Sequence, residues 1–294
     1  MTRFTLDRIA RPSGALAMVA MDQRESLRTM FDSVGAGRPP DRILIDFKRS
    51  VADVLGPLAS GFLLDREYGF DEIRARLAPT AGLILAADAL TQDAGAPVEE
   101  TGLDPVVLEP GFDLRGVVAL KLLIIWRRDT RRDERVELAG HFVAAAAERG
   151  LLSVLEPIVR ATRDEADAGA WDREEAILEC AEELSPVGQS LYKVQVPLAG
   201  FGTPAEQRHA SVLLGRAITG PWVVLSQGVE QRNFRAAVEA ACQGGASGFL
   251  AGRALWSDIV GERDVPAALR KTAVPRLEEL IAVVDRYARP WNES

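Results

Sequence analysis

The chain reads as an α/β protein of the (β/α)8, or TIM-barrel, class, and three observations predict this. Eight short apolar runs follow one another in order, at 15–22, 60–67, 82–88, 119–126, 152–159, 191–197, 222–228 and 246–253. Most are near-continuous rather than alternating, as parallel strands covered on both faces should be. Segments of helical period separate most of them, and alternating strands and helices build parallel βαβ units. The length of 294 residues fits eight such units, since barrels of this class need about 250 residues plus modest extras.

Each element has its own justification. The first run ends in Met21-Asp22-Gln23-Arg24 and lacks the glycine fingerprint that a dinucleotide-binding fold places after its first strand. A helix is expected over 41–56, opened by Pro39-Pro40, because proline suits the first turn. The 60–67 and 82–88 runs follow. The stretch 91–110, rich in glycine and proline, reads as a long loop at the barrel rim. After the 119–126 run comes a helix over 130–149, with Val136, Phe142 and Val143 on its apolar side. Helices over 172–184, 204–219 and 231–243 alternate with the remaining runs, and a long helix over 265–287 closes the chain. No linker or low-complexity tract divides it, so residues 1–294 are expected to form one barrel domain.

Composition narrows the function. The net charge of −8 argues against a nucleic-acid partner, which would call for a basic face. Residues 1–8 lack the apolar region of a signal peptide. No apolar run approaches the roughly 18 residues that would suggest a membrane span. A soluble, cytoplasmic protein is expected. Cys180 and Cys242 fall in helix-like stretches without disulfide or metal spacing and read as small buried apolar residues. His141 and His209 lie far apart on expected helices. A zinc site would want clustered ligands, so no metal and no other cofactor is expected.

The polar residues that interrupt or end the strands carry the chemistry. In a barrel the active site lies at the C-terminal ends of the strands. There the sequence places Asp22, Gln23 and Arg24, then Asp65, Arg66 and Glu67, then Asp88, Arg127, Arg160, Ser226, Gln227, Gly228, Gly252 and Arg253. Some of these only cap the rim. Two lysines stand out, because the chain has only four (Lys48, Lys121, Lys193 and Lys271). Lys193 sits inside Leu191-Tyr192-Lys193-Val194-Gln195-Val196-Pro197, and Lys121 inside Ala119-Leu120-Lys121-Leu122-Leu123-Ile124-Ile125. A buried lysine is rare. Unlike arginine, a desolvated lysine can lose its proton near neutral pH. Lys193 therefore suggests a Schiff base with a carbonyl substrate.

Such a mechanism needs a carboxylate to move protons. Glu156, on the strand beside Lys193, is the leading candidate, and Asp22 is placed to orient substrate hydroxyls. Lys121 is expected to stay charged, and an ion pair with Glu156 or Asp22 is an alternative, compatible role for it. The loops after strands seven and eight commonly hold phosphate in such barrels. Ser226, the backbone N–H groups of Gly228 and Gly252, and the Arg253 guanidinium could converge on one anion.

Taken together, Asp22-Gln23-Arg24-Glu25, Ala119-Leu120-Lys121-Leu122-Leu123, Glu156-Pro157, Leu191-Tyr192-Lys193-Val194, Leu225-Ser226 with Gly228-Val229, and Gly248-Phe249-Leu250-Ala251-Gly252-Arg253 resemble the class I ketose-phosphate aldolases. That family includes the tagatose-1,6-bisphosphate and sulfofructosephosphate aldolases, and the resemblance runs over nearly the whole chain. It is strongest to the sulfofructosephosphate branch, through Leu-Ile-Ile-Trp-Arg and Phe-Leu-Ala-Gly-Arg-Ala-Leu-Trp.

The resemblance implies Lys193 as the Schiff-base residue and Glu156 in proton transfer, with Lys121, Asp22 and Gln23 completing the motif. It implies retro-aldol cleavage of 6-deoxy-6-sulfofructose 1-phosphate to dihydroxyacetone phosphate and sulfolactaldehyde, in a homo-oligomer. The phosphate would sit on Ser226, Gly228 and Arg253. Arg24, Arg127 and Arg160 are candidates for the sulfonate by position. The chain departs from the family in Gln195, often glutamate, and Gln227, usually a small residue. Tagatose or fructose 1,6-bisphosphate cleavage, a non-catalytic sugar-phosphate sensor and a lysine–glutamate isomerase are the other readings open at this point.

Overall fold

The structure, a computed structural model, describes residues 5–35 and 37–293; residues 1–4, part of the stretch read for a signal peptide, lie outside them. Eight strands close into an all-parallel barrel. They are β1 (Leu16–Met21), β2 (Gly61–Leu64), β3 (Gly82–Ala86), β6 (Val117–Trp126), β7 (Leu152–Val159), β8 (Leu191–Gln195), β9 (Trp222–Leu225) and β10 (Gly248–Ala251). Round the barrel the order is β1-β10-β9-β8-β7-β6-β3-β2. Seven of the expected runs contain their strands, β6 starts two residues before its run, at Val117, and Pro197, which has no N–H to donate to a ladder, lies just past β8.

The helices are α1 (Glu25–Ser33), α2 (Asp41–Leu55), α3 (Phe70–Arg74), α4 (Arg132–Glu148), α5 (Arg163–Ala168), α6 (Arg173–Leu184), α7 (Pro204–Ala217), α8 (Gln231–Gln243), α9 (Arg253–Trp256), α10 (Val265–Ala268) and α11 (Val274–Tyr287). Short α1, α3, α5 and α9 were not expected. The helix expected over 265–287 is interrupted by a wide turn at Leu269–Ala273. Pro275 stands just beyond it and has no N–H to bond the preceding turn, which permits such a widening.

Side chains alternate across the strands, and that alternation builds two cores. One face of each strand points outward: Val19, Leu64, Leu85, Leu122, Tyr192 and Val224 join the helices in the larger core. The other points inward: Leu16, Met18, Leu63, Ile84, Ala119, Leu152, Val154, Leu191, Val223 and Leu250 fill the lower barrel, which Leu6 and Ile9 cap from below. The burial of both faces is what makes the runs near-continuously apolar. Gly248 is required where β10 meets β1. Its φ is +143°, and a Cβ there would lie 1.8 Å from the Leu16 carbonyl oxygen.

The stretch 91–110 corrects the expectation of an irregular loop. β4 (Asp88–Thr91) and β5 (Glu100–Leu103) pair antiparallel as a hairpin. Val98 near its tip packs on Ile125, Ile158 and Leu225 at the barrel mouth. The Glu25 carboxylate accepts a hydrogen bond from the Gly95 N–H at 3.1 Å, which ties the tip to α1.

Candidate active site

The inward alternation decides which residues reach the barrel interior. On β6 it carries Ala119, Lys121, Leu123 and Ile125; on β7, Leu152, Val154, Glu156 and Ile158; on β8, Leu191 and Lys193. Register then brings them level: Leu123 pairs with Glu156 across β6 and β7, and Leu155 with Tyr192 across β7 and β8, one position below Glu156 and Lys193. The lower interior is apolar, so the two ammonium groups stand on a dry floor.

The polar groups form one connected network. Lys193 Nζ lies 2.7 Å from Glu156 Oε1. Lys121 Nζ lies 2.8 Å from Glu156 Oε2, 2.9 Å from Asp22 Oδ2 and 3.0 Å from Asp88 Oδ2. Burial disfavours the Lys121 charge, but these three carboxylates outweigh it and raise the lysine well above its ordinary value. Burial likewise pushes the Asp22 carboxyl up, but Lys121, Lys193 and Arg24 more than offset that and hold it well below the usual carboxylate range. Asp88 is in turn fixed by Arg24, whose Nη2 donates to Oδ1 at 2.8 Å, and by the Leu123 N–H. Lys121 is thus a permanent cation with its donors occupied, while Lys193 forms its ion pair with Glu156.

A cavity of about 210 Å³ opens above the network, lined by both lysines, Asp22, Gln23, Arg24, Asp88, Glu156, Arg160, Ser226, Gln227, Gly252 and Arg253, and by Val98 and Pro97 of the hairpin. Gln23 Oε1 is buried without a hydrogen-bond partner. Gly252 is tightly held: a Cβ there would lie 2.5 Å from the Ala20 carbonyl oxygen and 3.1 Å from the Gln23 amide nitrogen. The Ser226 hydroxyl accepts from the Ala254 N–H at 3.4 Å. For Arg253, burial lowers the guanidinium from its ordinary value, and Glu156 and Asp22 restore only part of it. A partly desolvated cation of this kind favours an anionic ligand.

Not every expected residue arrives in the cavity. Arg127 is outside its lining; its guanidinium bonds the Glu99 carboxylate at 2.6 Å and the Glu99 carbonyl at 2.9 Å. Gly228, at φ +80°, also stands outside the lining, whereas Gln227 is within it. Arg24 lines the cavity but is engaged by Asp88 through the side chain and the carbonyl. Gln195 accepts the Val159 N–H at 2.8 Å, extending the β7–β8 junction. Asp65, a strand-end carboxylate, is paired with fully buried Lys48. Asp88 is the residue the sequence underweighted: it looked like another rim carboxylate, and it links Lys121 to Arg24. His141 and His209 are exposed on α4 and α7, and Cys180 and Cys242 are buried and free. No helix among the described residues is long and apolar enough to cross a membrane.

Similarity to known proteins agrees with this geometry. The profile of the DeoC/LacD family aldolases matches residues 16–258. Tagatose 1,6-diphosphate aldolase 2 of Streptococcus agalactiae is 27% identical, over 98% of this chain and 96% of that protein. The corresponding Enterococcus faecalis protein is 29% identical over 98% and 94%, and the Lactococcus lactis tagatose 1,6-diphosphate aldolase 25% over 99% and 98%. Among solved structures, the fructose-bisphosphate aldolase of Plasmodium falciparum superposes with a TM-score of 0.68 at 15% identity, covering 96% of this chain and 93% of that one. An archaeal fructose-1,6-bisphosphate aldolase, solved with its catalytic lysine bound to a carbinolamine intermediate, gives 0.57 at 15%, covering 95% and 98%. With its eight-stranded barrel and this breadth of match, the chain belongs to the DeoC/LacD family of aldolases and is a carbon–carbon lyase.

Proposed function

We propose that the protein cleaves 6-deoxy-6-sulfofructose 1-phosphate to dihydroxyacetone phosphate and sulfolactaldehyde through a Schiff base on Lys193. The observation that carries the mechanism is the 2.7 Å contact of Lys193 Nζ with Glu156 Oε1, within a cavity whose other lysine is clamped by three carboxylates. Glu156 takes a proton from the Lys193 ammonium, and the free amine attacks the C2 ketone. The carbinolamine hydroxyl takes that proton back and leaves as water. The resulting iminium draws in the electron pair of the C3–C4 bond as a carboxylate, Glu156 or Asp22, accepts the C4 hydroxyl proton. Sulfolactaldehyde departs, the enamine is protonated at C3, and water releases dihydroxyacetone phosphate and the amine. Lys121 acts throughout as a fixed positive charge, holding both carboxylates in place.

Arg253 and Ser226 would hold the C1 phosphate, with the N–H group of Gly252, and the buried, unpartnered Gln23 amide oxygen would meet a substrate hydroxyl. The reading includes a cytoplasmic homo-oligomer, which sedimentation in solution tests. Tagatose 1,6-bisphosphate is the second substrate reading, favoured by what the relatives in three bacterial genera are called. Borohydride reduction of the protein mixed with dihydroxyacetone phosphate, followed by intact mass, tests the mechanism. A mass increase equal to one reduced adduct on Lys193 is expected. An unchanged mass overturns the Schiff base, as a sensor or isomerase would require. Relative turnover of the two ketoses separates the substrates.

A further inference from the structure

We infer that Glu99, on the hairpin over the barrel mouth, determines which charge the far end of the cavity accepts, and that Arg160 grips the group there. This rests on the aldolase reading and deepens it. Three arginines were placed near that end, and two are already spent: Arg24 on Asp88, and Arg127 on Glu99 and Glu100. Arg160 lines the cavity, and its nearest carboxylate, Glu99, is 3.8 Å away, beyond hydrogen-bond distance. It stands four residues beyond Glu156 along the same chain direction, a rise of roughly 13 Å. An extended ketohexose anchored at Lys193 and lying along β7 carries its C6 group toward it. Burial lowers the Arg160 guanidinium from its ordinary value, Glu99 restores part of that and Arg127 opposes it, so an incoming anion completes the site.

Glu99 faces two ways. One carboxylate oxygen holds Arg127 at 2.6 Å and the other faces Arg160. Any anion on Arg160 therefore has the Glu99 carboxylate as a neighbour, and the repulsion grows with the ligand's charge. A sulfonate carries one negative charge and a phosphate nearly two. Glu100 is already shared among Arg127, Arg131 and Arg135, and Asp129 is bonded to Arg135, so these stay the same for either ligand. Glu99 thus disfavours the dianion, as a positioning residue acting through Arg160.

The test compares kcat/KM for two ketohexose 1-phosphates that differ only at C6, one bearing sulfonate and one phosphate. Glu99→Gln is expected to move the ratio toward the bisphosphate by about three- to tenfold, a modest figure because Glu99 is solvent-screened. Glu99→Lys should move it further in the same direction, and Arg160→Met should raise KM for both. A ratio unchanged in both Glu99 variants overturns the inference, as does an Arg160→Met protein with both KM values intact. A variant with a merely loosened hairpin would lose both substrates equally, which counts against it. Reductive trapping of the unaltered protein with dihydroxyacetone phosphate, which has no C6 group, reports separately on the Schiff base.

Discussion

Lys193 and Lys121 share a side chain and differ in their surroundings, and the residue-scale expectations follow from that difference. Lys193→Met should abolish the borohydride adduct and lower turnover by about 10⁴-fold or more, measured on single-site variants. Glu156→Gln should lower kcat by about 10²–10⁴-fold, the usual range for a lost proton-transfer group. Asp22 makes a pH argument. Its folded value lies below its ordinary one, so it adds stability that is present above about pH 4 and lost as pH falls toward the folded value. Asp22→Asn should therefore cost about 2 kcal/mol near neutrality, and the gap to the unaltered protein should shrink in urea titrations between about pH 5 and pH 2. The two strand lysines were legible because a charge inside an apolar run has few structural explanations. Asp88 and Arg160 were named among the strand-end candidates without being singled out, because just beyond a strand end a rim cap and a cavity residue look alike in one dimension.

At the scale of elements, the alternation of strand and helix was readable because both strand faces are buried, leaving long apolar runs. The hairpin of β4 and β5 was hidden, because its strands are only half-buried and so carry little apolar signal. Two helices start with complete capping boxes, Thr162 with Glu165 and Thr203 with Glu206. Thr203→Ala should cost about 1 kcal/mol in denaturant unfolding. The turn leaving β8 stores strain instead: Leu198 and Ala199 both have left-handed backbone, at φ 54° and 48°. Glycine adopts that region without the Cβ penalty. Ala199→Gly is expected to stabilise by up to about 1 kcal/mol, or roughly 2–4 °C in the thermal midpoint.

At the scale of the whole molecule, the barrel carries a second buried ionic centre beside the first. Lys48 on α2 and Asp65 past β2 form an ion pair in which both side chains are fully buried, and Asp65 also accepts the Glu67 and Tyr68 N–H groups. Lys48→Met alone should cost about 3–5 kcal/mol by leaving Asp65 unpaired. Adding Asp65→Leu should recover much of that, read from guanidinium unfolding of both variants. The burial of Lys48 was not legible in the sequence because a lysine in an amphipathic helix is ordinarily a stem lying on the surface with its head in water. The barrel itself was readable, since eight units leave eight apolar signatures, whereas pairings between distant segments leave none. The placement of the lysines has a practical consequence. Three of the four are buried and Lys271 is exposed. Among the lysines, amine-reactive dyes and resins should thus couple at Lys271, away from the barrel mouth.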